Sequence, residues 1–254
     1  MPRWLRRDAP VDPDHMPSVG EDVRVYAIGD VHGRADLLDR LLDLIEQDEA
    51  TRPPMALHLI FLGDLMDRGP RSAHVIVRAM ALAQAGGHVH FLKGNHEEVF
   101  VLAARGDERA IPLFRRIGGI ETLESYGLDG ADAEAMDDAA LADWMLANIP
   151  RDHVDFVDDF PDSHGIGDYL FVHAGIRPRV PIADQSPADL RWIRQEFLTH
   201  EGAHPKMVIH GHSITQDVDA RANRIGIDTG AYHSGRLTAI GLQGTERWFL
   251  QTGD

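Results

Sequence analysis

The 254 residues contain no cysteine, which excludes disulfides, thiolate metal sites and cysteine nucleophiles together. Reactive chemistry must use oxygen and nitrogen groups, and the absence fits a cytoplasmic setting. Long apolar runs are missing too. No stretch approaches the roughly 18–20 residues that cross a bilayer, so no membrane partner is expected. Positive charge is scarce: 25 Lys and Arg stand against 41 Asp and Glu, a net charge of −16. That field repels polyanions, so nucleic acid is not an expected partner, and a site that handles phosphate needs local cations or arginines. Part of the excess is concentrated, because residues 129–143 carry six acidic side chains and no basic one; a solvated helix face accounts for it. There is no fixed-period repeat and no low-complexity tract. The opening segment MPRWLRRDAPVDPDHMPSVG has basic residues without an apolar stretch behind them and is not a secretory signal. Its Pro and Asp content predicts a flexible leader over residues 1–20, with a docking tail built on Trp4 and Leu5 as the alternative.

With 43% apolar and 26% charged residues, a chain of this length buries one large core, expected over residues 21–254. Residues 23–28, 57–62 and 89–92 read as strands. Between the first two, Leu37, Leu38, Leu41, Leu42 and Ile45 repeat at helical spacing ahead of Pro53-Pro54. Ser72 is placed to cap a helix carrying Val75, Ile76, Ala79 and Leu82, closed by Gly86-Gly87. The β-α-β-α-β order implies parallel strands joined by right-handed crossovers. Residues 97–150 lack strand signals and read as a helical insertion. Short strands follow at 169–172, 207–209 and 225–227, then a hairpin whose arms, 237–242 and 247–250, flank Gln243-Gly244. An α/β fold of mixed sheets packed by helices is the expected outcome.

The polar residues recur at one place in each unit. Gly29-Asp30-Val31-His32-Gly33 follows the first strand, Gly63-Asp64-Leu65-Met66-Asp67-Arg68-Gly69 the second, and Gly94-Asn95-His96-Glu97 the third. His173-Ala174-Gly175 and Gly211-His212-Ser213 follow two later strands. Carboxyl ends of parallel strands line one crevice, so residues distant in sequence converge there. Each piece alone has a plain explanation. Asp and Gly favour turns, Asn95 can cap a helix, and a single strand-end histidine is more often structural. Five coincidences that each deliver Asp, Asn or His to one edge favour a shared metal site, with Asp30, His32, Asp64, Asn95, His173 and His212 as candidate ligands. His88 and His90 lie inside the third strand and read as structural.

The motifs GDVHG, GDLMDRG, GNHE, HAG and GHS, in this order, resemble those of the PPP family of metallophosphatases, which includes bacterial and eukaryotic serine/threonine protein phosphatases. The resemblance spans residues 26–241. It implies a calcineurin-like metallophosphoesterase fold, a mixed β-sandwich flanked by helices, holding two divalent metal ions. By resemblance Asp30, His32 and Asp64 hold one ion, and Asp64, Asn95, His173 and His212 the other. Oxygen and imidazole donors without sulfur favour manganese, iron or zinc over calcium or magnesium; resemblance to bacterial members makes manganese the first expectation. The His96 and Asp67 positions pair in the family as a leaving-group acid and the carboxylate that orients it. Arg68 matches the family's DRG arginine. Arg194 matches a second phosphate-binding arginine in a W-x-R segment, with Arg191 as its rival and Trp192 expected in the core. Asn95 joins the two arginines in the expected phosphate-binding set. Where many members place an aromatic near the substrate, alignment puts His233, beside Tyr232.

Two cations about 3.5–4 Å apart can acidify a shared water, neutralise phosphoryl oxygens and align attack. The expected reaction is hydrolysis of phosphomonoesters, on serine and threonine of a phosphoprotein or on a small phosphoester. The alternative is a dinucleoside polyphosphate hydrolase of the diadenosine tetraphosphate type, whose relatives share most of these motifs. The symmetrical bacterial hydrolases resemble GDLVARG and GNHD where this chain has Asp67 and Glu97, which favours the phosphatase branch. A non-catalytic scaffold would have lost a ligand, and none is missing.

Overall fold

A computed structural model describes residues 16–253. Residues 1–15, most of the expected leader, and Asp254 lie outside the described residues. The end of that leader packs onto the body: Val19 is buried, its N–H donates to Gly244 O at 3.0 Å, and the Ser18 N–H donates to the Asp168 carboxylate.

The first half alternates as read from the sequence: β1 (Val23–Ile28), α1 (Ala35–Ala50), β2 (Ala56–Phe61), α2 (Ser72–Gln84) and β3 (His88–Phe91). β2 and β3 each begin and end one residue earlier than expected. Leu62 and Leu92 nevertheless stay fully buried just past the ladder, so the apolar signal outlasts the pairing. Six helices follow without an intervening strand: α3 (Asn95–Ala104), α4 (Ile111–Arg116), α5 (Ile120–Ser125), α6 (Gly130–Ala135), α7 (Asp138–Asn148) and α8 (Arg151–Asp158). The second half holds β4 (Ser163–Ile166), β5 (Tyr169–Val172), α9 (Pro187–Trp192), α10 (Gln195–Leu198), β6 (Met207–His210), β7 (Asp219–Ala220), β8 (Arg224–Gly226), α11 (Ala231–Ser234), β9 (Thr238–Gln243) and β10 (Glu246–Gln251).

The strands form two five-stranded mixed sheets, ordered β10-β9-β1-β2-β3 and β4-β5-β6-β8-β7. β1, β2 and β3 run parallel, as do β5, β6 and β8, while β4, β7, β9 and β10 pair antiparallel. Alternation along each strand sorts the core into layers. Val25, Ala27, Ile60 and Leu62 face Tyr169, Phe171, Ile209 and Ile225 between the sheets. Tyr26, Ile28, Phe61 and Phe91 point outward beneath α1, α2 and the six-helix segment. Leu170, Val172 and Val208 cover the other outer face with Leu190, Ile193 and Phe197. Each fully buried Ile, Leu or Phe contributes about 1.5–3 kcal/mol, and that drive fixes both halves with their parallel strand ends toward one crevice. Among the described residues no helix is long and apolar enough to cross a membrane.

Ser72 does not cap α2. Arg71 occupies the cap position without any side-chain bond to the first turn. The Ser72 hydroxyl instead accepts from the Asp67 N–H at 3.0 Å.

Candidate metal centre

The loops after β1, β2, β3, β5 and β6 carry the six candidate ligands, and all six are buried. Their backbones are unusual. Among the described residues, six non-glycine residues have positive φ: His32 (46°), Asp64 (50°), Asp67 (68°), Arg68 (68°), Arg179 (65°) and His212 (62°). All but Arg179 were singled out from sequence. Left-handed backbone in such residues costs about 1–3 kcal/mol each and persists only where the surroundings enforce it. Close approach does part of this. A Cβ on Gly94 would collide with the carboxylates of Asp64 and Glu97, and one on Gly211 with Asp30.

The donor set fits metal ions. His32 donates through Nδ1 to Met66 O at 2.8 Å, which leaves Nε2 a lone pair. That atom has no hydrogen-bond partner and lies 3.9 Å from Asp30 Oδ2 and 3.6 Å from Asp64 Oδ2. His173 repeats the device. Its Nδ1 donates to Leu62 O at 2.8 Å, so Nε2 is the nitrogen aimed into the site. It faces Asp64 Oδ2 at 3.4 Å, Asn95 Oδ1 at 3.0 Å and His212 Nδ1 at 3.2 Å. Acceptors converging on that nitrogen in a buried site need a cation among them, a proton on Nε2 or a metal ion in its place. An imidazole whose second nitrogen is tied to a backbone carbonyl is the usual form of a metal-ligating histidine. Asp64 belongs to both groupings, so its carboxylate stands where a bridge would be.

Electrostatics agree. Burial and then Asp228 push the Asp30 carboxyl well above its usual range. Burial works against charge on His173, but the Asp64 carboxylate outweighs it and lifts the imidazole to about 10. A field that holds a proton this tightly also attracts a cation. His212, by contrast, is driven down to about 2 by burial and by its neighbour His173, leaving it neutral and able to ligate.

A web supports His96. Its Nδ1 meets Asp67 Oδ2 at 2.7 Å; Asp67 Oδ1 accepts from the Thr122 hydroxyl at 2.6 Å, and the Asp67 N–H is shared between Ser72 and Thr122. Arg68 Nη2 lies 2.9 Å from His96 Nε2, and a guanidinium can only donate. In this arrangement His96 therefore carries its proton on Nδ1. Burial lowers the His96 pKa, but Asp64 and Asp67 together raise it above the ordinary value; Nε2 can take that proton only when Arg68 moves off it. Thr122 lies in α5, and the turn before it holds Arg68 through Gly118 O and Ile117 O. The six-helix segment thus reaches the crevice.

Several contributors were not singled out from sequence. Glu97, fully buried, accepts the N–H groups of Asp64, Leu65 and Gly94, each at 2.8 Å. Asp228 is buried with its Oδ2 unpartnered; it follows β8 directly, so the rule of polar residues at strand ends would have found it. Tyr232, not His233, turns to the site. Its ring meets His32 edge-on at 5.5 Å and lies 5.0 Å from the Arg68 guanidinium, whereas His233 folds back onto Gly230 O. Arg191 is spent on Asp162 and Glu98. Arg194 is exposed, has no ion-pair partner among the described residues, and is near enough to His212 to act on its titration. The Trp192 indole, half-buried against the main core, donates to Glu98 at 2.7 Å.

Buried carboxylates and imidazoles gathered at the parallel strand ends of two packed mixed sheets are the arrangement of a metallophosphoesterase domain. The chain belongs to the calcineurin-like phosphoesterase family, whose model matches residues 23–238. A symmetrical bis(5'-nucleosyl)-tetraphosphatase of Acidovorax ebreus is 32% identical over 178 residues, which is 70% of this chain and 49% of that protein. The asymmetrical bis(5'-nucleosyl)-tetraphosphatase PrpE of Anoxybacillus flavithermus is 25% identical over 239 residues, 84% of this chain and 88% of that protein. The chain spans about half the length of the symmetrical relatives it matches. A solved structure described as a candidate diadenosine tetraphosphatase shares the fold with a TM-score of 0.61 and 20% identity, over 92% of this chain and 100% of that one.

Proposed function

We propose that the chain hydrolyses dinucleoside polyphosphates at a two-metal centre. The observation that carries this reading is a cleft of about 500 Å³ beside Arg68, lined by Arg34, Arg71 and Tyr232 among others. Three guanidinium groups, of which Arg34 is paired with Asp36 on the same lining at 2.7 Å, and an aromatic ring at one opening suit a substrate with several phosphates and a flat base, in a protein whose overall charge is −16. The names of the relatives at 32% and 25% identity support the same choice.

Asp30, His32 and Asp64 would hold one ion, and Asp64, Asn95, His173 and His212 the other. When bound, such a pair neutralises phosphoryl oxygens and acidifies water. Manganese is the proposed ion, iron or zinc the alternatives, in a cytoplasmic setting. Arg68, Arg194 and Asn95 would bind the phosphoryl group. Once Arg68 turns to phosphate, His96 Nε2 is free to carry a proton to the leaving oxygen while Asp67 holds Nδ1.

The Asp67–His96 pair favours a second reading. An alkoxide leaving from serine or threonine needs that proton more than a nucleotide phosphate does, so a phosphomonoesterase acting on phosphoproteins would use the pair fully. Nucleotide release from diadenosine tetraphosphate (two ADP, or ATP with AMP), set against phosphate release from a phosphothreonine peptide and an aryl phosphate, separates the two. The first reading expects kcat/KM to be highest for the dinucleotide and to fall on it selectively in Arg71→Ala. A phosphopeptide that outpaces the dinucleotide would replace it with the second.

A further inference from the structure

A second group of histidines lies within β2, β3 and β4, outside the loops that carry the candidate ligands. In the β2–β3 register His58 sits opposite His88, and Ile60 opposite His90. Alternation puts His58 on the face of Ile60 and Leu62, and His88 and His90 on the face of Leu92. Ile60, Leu62 and Leu92 belong to the layer between the sheets. The histidines therefore stand at the open edge of the sandwich, where the strand pattern calls for apolar residues. The second sheet supplies one more: His164 on β4 sits opposite Phe171, a member of the same layer. β3 and β4 are the edge strands of their respective sheets, so these side chains meet across the seam.

We infer that His58, His90 and His164 form a second metal site, for a zinc-class ion that ties the two sheets together at their edges. One nitrogen from each of the three lies within 4.8 Å of the others. His58 Nδ1 and His90 Nε2 are already 3.3 Å apart. Two nitrogens bound to one tetrahedral zinc, at about 2.0–2.1 Å each, are separated by about 3.4 Å. The His90 and His164 rings stack at 3.9 Å, and an ion would require the His164 ring to turn out of that stack. All three residues are half-buried, which limits competition from water. His88 is exposed beside them, and its ring stacks on His58 at 4.4 Å.

The donor chemistry selects the ion. Three imidazoles with no carboxylate suit zinc, copper or nickel and discriminate against harder cations that prefer oxygen. Burial pulls all three imidazoles below their ordinary value, His90 to about 4 with help from its histidine neighbours. At neutral pH they present lone pairs and not protons. None of the three carries chemistry in the crevice, so this site stands or falls apart from the reading of the catalytic centre.

The test is zinc stoichiometry on the full chain, stripped with chelator and titrated in parallel with His90→Leu and His164→Gln. Metal analysis after desalting should find one zinc equivalent more in the unaltered protein than in either variant. Zinc should raise the unfolding temperature of the unaltered protein above that of both variants. Hydrolysis supported by manganese should be equal in all three, since the crevice is untouched. Equal zinc content in the unaltered protein and both variants would overturn the inference. So would a zinc-dependent rise in unfolding temperature that both variants retain. Should His90→Leu fail to fold, His164→Gln at the edge strand gives the same comparison.

Discussion

Glu97→Gln isolates one device that holds the centre together. Oε2 accepts from the N–H groups of Asp64 and Gly94, and Oε1 from that of Leu65, each at 2.8 Å. Glutamine keeps the volume but has a single oxygen. Its best placement leaves that oxygen on Asp64 and Gly94 and points the amide NH2 at the Leu65 N–H, donor against donor. A buried N–H left without an acceptor costs about 1–3 kcal/mol. The two surviving bonds lose their charge assistance, about 1 kcal/mol each. The sum, about 3–5 kcal/mol, corresponds to a fall in melting temperature on the order of 10 °C for a chain of this size. Thermal unfolding followed by circular dichroism measures it. Glu97→Asp, one methylene shorter, should also lose part of the clamp. A Glu97→Gln shift smaller than about 2 °C would refute the claim that this carboxylate clamps the Asp64 and Gly94 loops.

Other perturbations bear on the same architecture. Asp64→Asn removes the shared carboxylate and should abolish hydrolysis with loss of bound metal; normal turnover with both ions retained would contradict its bridging role. His96→Asn should slow an alkyl phosphate by about 10²–10⁴-fold and an activated aryl phosphate far less, and equal losses in steady-state assays would count against a proton donor at that position. Gly94→Ala places a methyl against the carboxylates of Asp64 and Glu97, so metal content and activity should fall together. Asp48 accepts hydrogen bonds from Tyr26, Arg52 and Trp248; burial raises its pKa, but the Arg52 and Tyr26 bonds outweigh that and hold it below the ordinary 3.8. Its stabilisation is therefore complete above 3.8 and lost as pH falls through the lowered value. Melting curves should show a gap between the unaltered protein and Asp48→Asn at pH 7 that closes in acid, and a gap independent of pH would exclude the linkage.

The fold and the ligand loops were legible because their signals are local. Apolar runs at strand period, followed at once by Gly with Asp, Asn or His, announce both a strand and what stands at its end. β4 and β7 carried no such signal. Ser163-His164-Gly165-Ile166 has little β-branched character and pairs only as an edge, and Asp219–Ala220 is two residues long. The web behind His96 was invisible for a different reason. Ser72 lies near Asp67 in the chain, but Thr122 is fifty-five residues away on a helix, and only tertiary packing brings its hydroxyl to the carboxylate. Ser72 reads as a cap because a cap needs only a hydroxyl before an apolar face, whereas the fold spends that hydroxyl on Asp67. Tyr232 and His233 differ by one position, and the left-handed turn at Gly230 decides which ring faces the crevice. Arg191 and Arg194 were separated by charge: two carboxylates hold the first, and among the described residues none holds the second.

On the proposed reading, five loops gather their carboxylates, amide and imidazoles around two cations that share Asp64. Crystals grown with manganese and measured at its absorption edge test it most directly. Two anomalous peaks are expected, one against Asp30 and His32 and one against Asn95, His173 and His212, with the Asp64 carboxylate between them. A fully active preparation whose crystals show no peak at Asp64 would contradict it.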